Sequence, residues 1–192
     1  MYKLCKIEQS SKRQREIEGV LLHLMLEKRY DDISVSEICE RANMPRKSFY
    51  RYFDGKDGAM QSLLYHTMME LDVIRVSQNS AERTLKEDFE DFFVFWKGKR
   101  DFLEAFDRSG LIGLLMESVM NNAMDKFDEI GKYISETNLD ENRTTLLFIV
   151  SGLMTMTINW YRTGFAESVP NMSRIATKII TRPLFGNLSR SE

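Results

Sequence analysis

Proline, glycine and cysteine are all scarce in this sequence. Its 192 residues include only 3 Pro, 10 Gly and 2 Cys. So few helix breakers, and the lack of any long alternation of apolar and polar residues, favour a mostly helical chain. The two cysteines, Cys5 and Cys39, make neither a disulfide framework nor a metal-ligand spacing. We expect Cys39 to be buried and reduced, which fits a cytoplasmic protein.

Recognisable catalytic groups are also missing. The two histidines, His23 and His66, lie in predicted helices with no Cys, Asp or Glu at a metal-ligand spacing. The sequence contains no glycine-rich phosphate loop and no nucleophile elbow. We therefore expect a protein that is not an enzyme and that holds neither a metal nor another cofactor.

One stretch, residues 144–161, carries no charge and reaches the length of a minimal membrane span. Its Thr, Ser, Gly and Asn content and the lack of a flanking cationic loop argue against insertion. A helix apolar on all sides is instead buried on all sides, with one face on its own core and another on a partner. The N-terminus lacks the apolar stretch of a signal peptide, so we expect a cytoplasmic protein without a membrane segment.

Charge is divided unevenly along the chain. Residues 1–56 contain 12 Lys and Arg against 9 Asp and Glu, a net charge of +3. The remaining residues have a net charge of −5, which gives the overall −2. A basic N-terminal part on a mildly acidic protein is typical of local contact with nucleic acid.

The basic part contains a pattern of two short helices joined by a tight turn. Ser34 can cap the first helix, and Glu37 three residues later predicts a capping box. Asn43 tolerates the left-handed conformation that ends a helix, and Pro45 suits the first position of the next one. That second helix is predicted over Arg46–Phe53.

The second helix is unusually rich in cations and hydroxyl groups around one apolar anchor, Phe49. Lys and Arg neutralise phosphates, Ser and Tyr hydroxyls donate to phosphate oxygens, and a short helix fits the major groove. The alternative is a solvated helix with ordinary surface charge. The spacing of the two helices and the turn between them favours DNA binding.

This segment resembles the DNA-binding domain of the TetR family of transcriptional regulators. The resemblance rests on Ile38-Cys39, on Ala42-Asn43-Met44 and on the run SFYRYFDGK at residues 48–56. It departs from the family pattern at Cys39 in place of a small Ala, at Asn43 in place of a frequent Gly, and at Pro45 in place of a common Ser. The resemblance implies a homodimeric regulator, most often a repressor, that binds a double-stranded DNA operator. The residues predicted to contact DNA are Ser34, Arg46, Lys47, Ser48, Tyr50, Arg51, Tyr52 and Lys56.

The rest of the chain is predicted to be helical as well, giving an all-α fold with two domains. A helix-turn-helix domain spans residues 1–56, and a helical ligand-binding and dimerisation domain spans residues 57–192. The helical spacing of apolar residues, with capping and helix-breaking residues between the segments, predicts the further helices. They are Ser11–Arg29, Lys56–Ser77, a helix that begins near Asn79 and Glu82 and ends at Lys97, Arg100–Asp107, Leu111–Glu136, Thr144–Tyr161 and Asn171–Thr181.

The second domain is rich in large apolar side chains, and these have two interpretations. Such stripes are most often plain core, but the TetR resemblance implies a cavity for a small, mostly apolar or aromatic ligand. The candidate ligand contacts are Phe89, Phe92, Phe93, Trp96, Phe106, Met116, Met120, Met154, Thr155 and Asn159. The candidate dimer contacts are Phe148, Ser151, Gly152, Ile158, Ile175 and Ile179. Two other functions remain open: a helical protein that binds an acidic partner, and a small-molecule carrier or enzyme.

Overall fold

The computed structural model describes residues 8–77, 83–127 and 139–181. Within those ranges the chain forms nine α-helices and a 3₁₀ turn at Tyr30–Asp32, so the predicted all-α fold is confirmed. The helices are α1 Glu8–Glu27, α2 Val35–Arg41, α3 Arg46–Phe49, α4 Lys56–Ser77, α5 Leu85–Gly98, α6 Arg100–Arg108, α7 Ile112–Asp125, α8 Leu139–Arg162 and α9 Val169–Thr181. None of the helices in the described ranges is long and apolar enough to cross a membrane.

The chain divides into two compact units. The first unit contains Met1–Glu70 and Asp101–Ser118, and the second contains Leu71–Arg100 and Val119–Glu192. Helix α4 therefore contributes residues to both units. The functional boundary after residue 56 stays a prediction.

The core of the first unit lies where α1, α2, α3 and α4 meet. Ile17 and Leu21 of α1, Ile38 of α2 and Phe49 of α3 are all fully buried. Burial of each such side chain stabilises the folded state by about 1.5–3 kcal/mol relative to leaving it in water. Short helices such as α2 and α3 are not stable alone, so this burial holds them in place.

The ends of α2 and α3 depart in detail from prediction. The Ser34 hydroxyl accepts the Glu37 N–H at 3.2 Å, as predicted. The Glu37 carboxylate, however, accepts from Lys28 Nζ at 2.6 Å, so the reciprocal half of the predicted capping box is wrong. Asn43 has the predicted left-handed backbone, with φ of 46°. Pro45 is the N-cap of α3 rather than its first residue.

Helix α3 is shorter than predicted and ends at Phe49, although Phe53 N still donates to Phe49 O at 3.1 Å. The chain continues to Phe53 in tighter turns, with Tyr52 N donating to Phe49 O at 2.9 Å. Phe49 and Phe53 are both buried, and their ring centroids lie 5.2 Å apart. Their spacing of four residues, one helical turn, places both rings on the same side of the chain.

The second unit is built around aromatic side chains of α5. Helix α5 begins at Leu85, where Thr84 and Glu87 form a reciprocal capping box. The predicted start at Asn79 and Glu82 lies outside the described residues. Phe93 and Trp160 are fully or almost fully buried and meet edge to face at 5.8 Å. This ring geometry stabilises a pair by about 0.5–1.5 kcal/mol beyond burial.

The remaining helices follow the prediction with shifted ends. Helix α8 begins five residues before the predicted Thr144, since Leu139 is its first residue. Gly164 has the positive φ of 72° expected after a helix end. Helix α7 ends at Asp125 and a turn follows at Lys126, so the prediction of one continuous helix over Leu111–Glu136 is wrong. The predicted end at Glu136 lies outside the described residues.

Candidate nucleic-acid interface and the helical second unit

Helix α3 and the turn after it present a basic surface on an apolar anchor. Phe49 is fully buried and faces the core. Arg46, Lys47, Tyr50 and Arg51 are exposed, and we call these four residues the α3 surface. Because the Phe49 ring anchors the helix in the core while the cations and the phenol face outward, the helix can approach a DNA groove without losing its packing against the protein.

Arg46 and Tyr50 interact on this surface. Arg46 Nη2 donates to Tyr50 Oη at 3.4 Å, one helical turn away. This hydrogen bond raises the pKa of the Arg46 guanidinium. The Tyr50 ring also meets Phe49 edge to face at 5.6 Å. The two contacts restrict the orientation of the Tyr50 ring on this surface.

Three further predicted DNA contacts, Ser48, Tyr52 and Ser34, differ in their exposure and in their contacts. Ser48 and Tyr52 are partly exposed beside the α3 surface. Ser34 is exposed, and its hydroxyl caps α2. Capping leaves the hydroxyl hydrogen available to a phosphate, since a serine Oγ both accepts and donates.

Lys56 has a structural role that the sequence did not indicate. Its ammonium group donates to Tyr30 O at 2.7 Å and to Asp31 O at 3.3 Å. The same group lies 4.3 Å from the centroid of the Tyr30 ring. Tyr30 in turn donates its hydroxyl to Asp57 at 2.5 Å. Burial and this carboxylate raise the pKa of the Tyr30 phenol, so it remains a donor.

Ion pairs join α1 to the helix-turn-helix. Arg41 makes a two-pronged contact with Glu27, at 2.9 and 2.7 Å. Arg13 donates to Ala42 O at 2.7 Å, which satisfies a carbonyl at the end of α2. Sequence reasoning missed these contacts because the partners are distant in sequence and follow no local pattern. Exposed pairs contribute little singly, but two-pronged geometry restricts orientation.

The candidate ligand contacts fall in different places. Phe89, Phe92, Phe93, Trp96 and Met154 are buried in the second unit, and Met120 is partly buried there. Phe106 and Met116 belong to the first unit. Thr155 and Asn159 are exposed on α8. Their roles in ligand binding stay a prediction.

The candidate dimer contacts include an exposed, uncharged stripe on α8. Phe148 is 73% exposed, although it is a large apolar side chain. Gly152, Thr155 and Asn159 are exposed at the following helical spacings. Ser151 is partly exposed, whereas Ile158 is buried at 7% exposure. On α9, Ile175 and Ile179 are partly exposed.

Comparison with known proteins agrees with this arrangement. Residues 21–62 match the family model described as "Bacterial regulatory proteins, tetR family". The match includes the C-terminal part of α1, all of α2 and α3, and the start of α4. No curated protein sequence matches the chain.

Several solved structures share the fold at low sequence identity. The fatty acid degradation regulator FadR from Bacillus halodurans is 17% identical, with 90% of this chain and 96% of that chain covered and a TM-score of 0.63. A transcriptional regulator (TerR/AcrR family) from Aquifex aeolicus VF5 is 17% identical, with 86% and 96% covered and a TM-score of 0.61. FadR from Bacillus subtilis, in complex with stearoyl-CoA, is 13% identical, with 86% and 96% covered and a TM-score of 0.55.

At these identities the structural likeness establishes the fold, and the matched domain adds the function of its helices. Together they define a DNA-binding transcriptional regulator of the helix-turn-helix class. Residues 21–62 match the DNA-binding domain of the TetR family, so the resemblance read from the motif is confirmed for this segment.

Proposed function

We propose that this protein is a cytoplasmic repressor that binds an operator as a homodimer and is released by a small, mostly apolar ligand. The α3 surface is the observation that carries the proposal. Its two arginines, its lysine and Tyr50 are exposed above a fully buried Phe49. Such a surface suits phosphate contacts and base edges in one major groove.

The α8 stripe supports the dimer. An exposed phenylalanine beside an exposed glycine and two small or amide side chains makes an uncharged face on which helices can meet closely. We propose that Phe148, Gly152, Thr155 and Asn159 lie in a two-fold interface, with Ile175 and Ile179 of α9 beside them. Because Thr155 and Asn159 are exposed, this proposal reassigns them from ligand contacts to dimer contacts. Two copies would then place two α3 surfaces on adjacent half-sites.

The buried rings and methionines of the second unit support an apolar ligand. The solved FadR from Bacillus subtilis is in complex with stearoyl-CoA, and its fold is shared with this chain. We propose a ligand with a long apolar part that contacts Trp96, Met120 and Met154. Because α4 contributes residues to both units, it is the natural lever by which ligand binding changes the position of α3.

Operator selection from a random duplex library tests the DNA-binding proposal. The unmodified protein should return one operator, and its affinity should fall steeply with salt because counterions are released. Arg46→Ala, Lys47→Ala and Ser48→Ala should alter base preference, by about 1–3 kcal/mol where a good base contact is lost. Tyr50→Phe should weaken all sequences alike, since phosphate contacts carry no sequence information. The same operator from all three alanine variants would show that α3 is not the reading helix.

Fluorescence of Trp96 tests the ligand proposal. The chain has two tryptophans, so the measurement uses Trp160→Phe to leave Trp96 as the single emitter. A long-chain acyl-CoA should shift or quench that emission and weaken operator binding by about 1–3 kcal/mol, whereas free CoA should do neither. Met120→Trp, measured by operator release alone, should block the response and leave DNA binding intact. Equal effects of acyl-CoA and CoA would contradict an apolar ligand.

A further inference from the structure

A chain of buried polar groups joins α1 to α4 inside the first unit. Gln14 Nε2 donates to Ser62 Oγ at 2.9 Å, and Ser62 Oγ donates to Glu18 Oε1 at 2.6 Å. His66 Nδ1 lies 2.8 and 2.9 Å from the two oxygens of the same carboxylate. Since a carboxylate only accepts here, Nδ1 carries the hydrogen. We call these four residues the α1–α4 network.

The network is buried to a degree unusual for polar side chains. The exposed fraction is 1% for Gln14, 2% for Glu18, 0% for Ser62 and 6% for His66. Burying a carboxylate carries a desolvation cost that its partners offset only in part, so the network is a poor source of stability. Neither the helix-turn-helix motif nor the proposed dimer and ligand sites uses it.

Its geometry does provide a unique alignment of two helices. Gln14 and Glu18 lie one turn apart on α1, and Ser62 and His66 lie one turn apart on α4. The hydrogen bonds join them turn by turn, so a slip of one turn, about 5.4 Å, would break every bond. The apolar side chains around them are less selective, because hydrophobic burial has no direction.

The position of helix α1 determines the position of α3, the helix proposed to read the DNA. Arg13 of α1 donates to Ala42 O at the end of α2, and Glu27 of α1 holds Arg41 of α2 by two contacts. Helix α3 follows after a tight turn. An alignment of α1 on α4 therefore also aligns α3 on α4.

We propose that the α1–α4 network is a positioning device for operator binding: it holds α3 at one setting on α4 rather than stabilising the fold. Operator binding by a dimer needs both reading helices at the half-site spacing, so a small error in this setting weakens it. Binding to random duplex depends on phosphate neutralisation and tolerates such an error.

An apolar replacement of the whole network tests this. The variant combines Gln14→Met, Glu18→Met, Ser62→Ala and His66→Leu, which keep the approximate volumes. We expect its midpoint of thermal unfolding to equal or exceed that of the unmodified protein. Its operator affinity should fall by about tenfold or more, and its affinity for random duplex should stay within about twofold. A folded variant with unchanged operator affinity overturns the proposal.

Single substitutions keep the test decisive if that variant does not fold. Ser62→Ala removes only the central hydroxyl, and a folded Ser62→Ala protein with unchanged operator affinity overturns the proposal. His66→Asn places an amide nitrogen near the position of Nδ1 and should retain operator affinity, whereas His66→Leu should lose it. Equal losses in both folded variants contradict a positioning hydrogen bond. Arg15→Met, which breaks the exposed contact with Glu70 between the same helices, should leave operator affinity unchanged.

This inference rests on the proposed function, and different experimental results would overturn each of them. If the unmodified protein selects no operator, both are overturned. If the unmodified protein and the apolar variant bind one operator equally well, only the inference is overturned.

Discussion

Lys47 and Lys56 carry the same charge near the same motif, and the structure gives them different surroundings. Lys47 is exposed on the α3 surface. Lys56 is partly buried and donates to two backbone carbonyls of the 3₁₀ turn. A hydrogen bond from a charged group is stronger than a neutral one, so Lys56 should contribute to the free energy of unfolding. The motif alone treats both lysines as phosphate contacts.

Lys56→Ala should lower the free energy of unfolding by about 1–3 kcal/mol, since it leaves the Tyr30 and Asp31 carbonyls without this donor. Urea unfolding followed by circular dichroism measures it. Lys47→Ala is the matched control, and an exposed substitution of this kind should change stability by about 0.5 kcal/mol at most. Lys47→Ala should nevertheless weaken DNA binding. Equal stability of both variants would show that the contacts of Lys56 contribute nothing.

At the scale of elements, helix ends decide where the chain turns. The Thr84 hydroxyl accepts the Glu87 N–H at 3.3 Å, and the Glu87 carboxylate accepts the Thr84 N–H at 2.8 Å. The Thr84 and Glu87 N–H groups are thereby both hydrogen-bonded to side chains at the start of α5. The aromatic face of α5 depends on this start, since the helix phase determines which side chains face the core.

Thr84→Ala should lower the free energy of unfolding by about 1 kcal/mol, because the cap is lost. Thr84→Ser keeps the hydroxyl and should remain close to the unmodified protein. Thermal and urea unfolding of the three proteins give the comparison. If Ser and Ala at this position destabilise equally, the methyl group rather than the cap is what matters.

The capping box also predicts a dependence on pH. The Thr84 backbone N–H, followed by its side chain, lowers the pKa of the Glu87 carboxyl below its ordinary value. A group with a lowered folded pKa contributes stability that is present above its unfolded pKa and is lost as the pH falls through the folded pKa. The stability difference between the unmodified protein and Glu87→Gln should therefore shrink from pH 7 to about pH 3. A difference that stays constant over this range would contradict a role for the charged carboxylate.

At the scale of the whole molecule, the proposed dimer is tested by the α8 stripe. A Cβ added at Gly152 meets nothing within 4 Å, and the position is exposed, so we expect a longer side chain there to extend into solvent in the monomer. Gly152→Arg should produce monomers at micromolar concentration, because the charge would be placed in the interface twice. Sedimentation velocity measures the mass.

Two further substitutions make that measurement interpretable. Val94 of α5 is 57% exposed and does not belong to the stripe, so Val94→Arg adds the same charge on another helix and should leave the dimer intact. Ile158 is buried in its own chain, so Ile158→Arg should lower the stability of the fold rather than only separate two copies. A monomer in the unmodified protein would count decisively against the proposal.

The sequence by itself determined the all-α class, the helix-turn-helix and the resemblance of that segment to TetR DNA-binding domains, because these depend on local spacing. The cap at Ser34, the left-handed Asn43 and the buried anchor Phe49 are all within a few residues of their partners. Helix α4 was likewise predicted from Lys56 to Ser77, as observed. The ends of α3 and α8 were placed less well, since tertiary packing decides how far a helix extends.

Only the tertiary structure decided what the long-range polar groups do. Glu18 and His66 are 48 positions apart, and neither stands in a motif. Their pairing, the contact of Lys56 with the Tyr30 carbonyl and the exposure of Phe148 each depend on which faces of the helices the fold covers. Periodicity shows that a helix has an apolar face, but the neighbour that covers the face is chosen by packing over the whole unit.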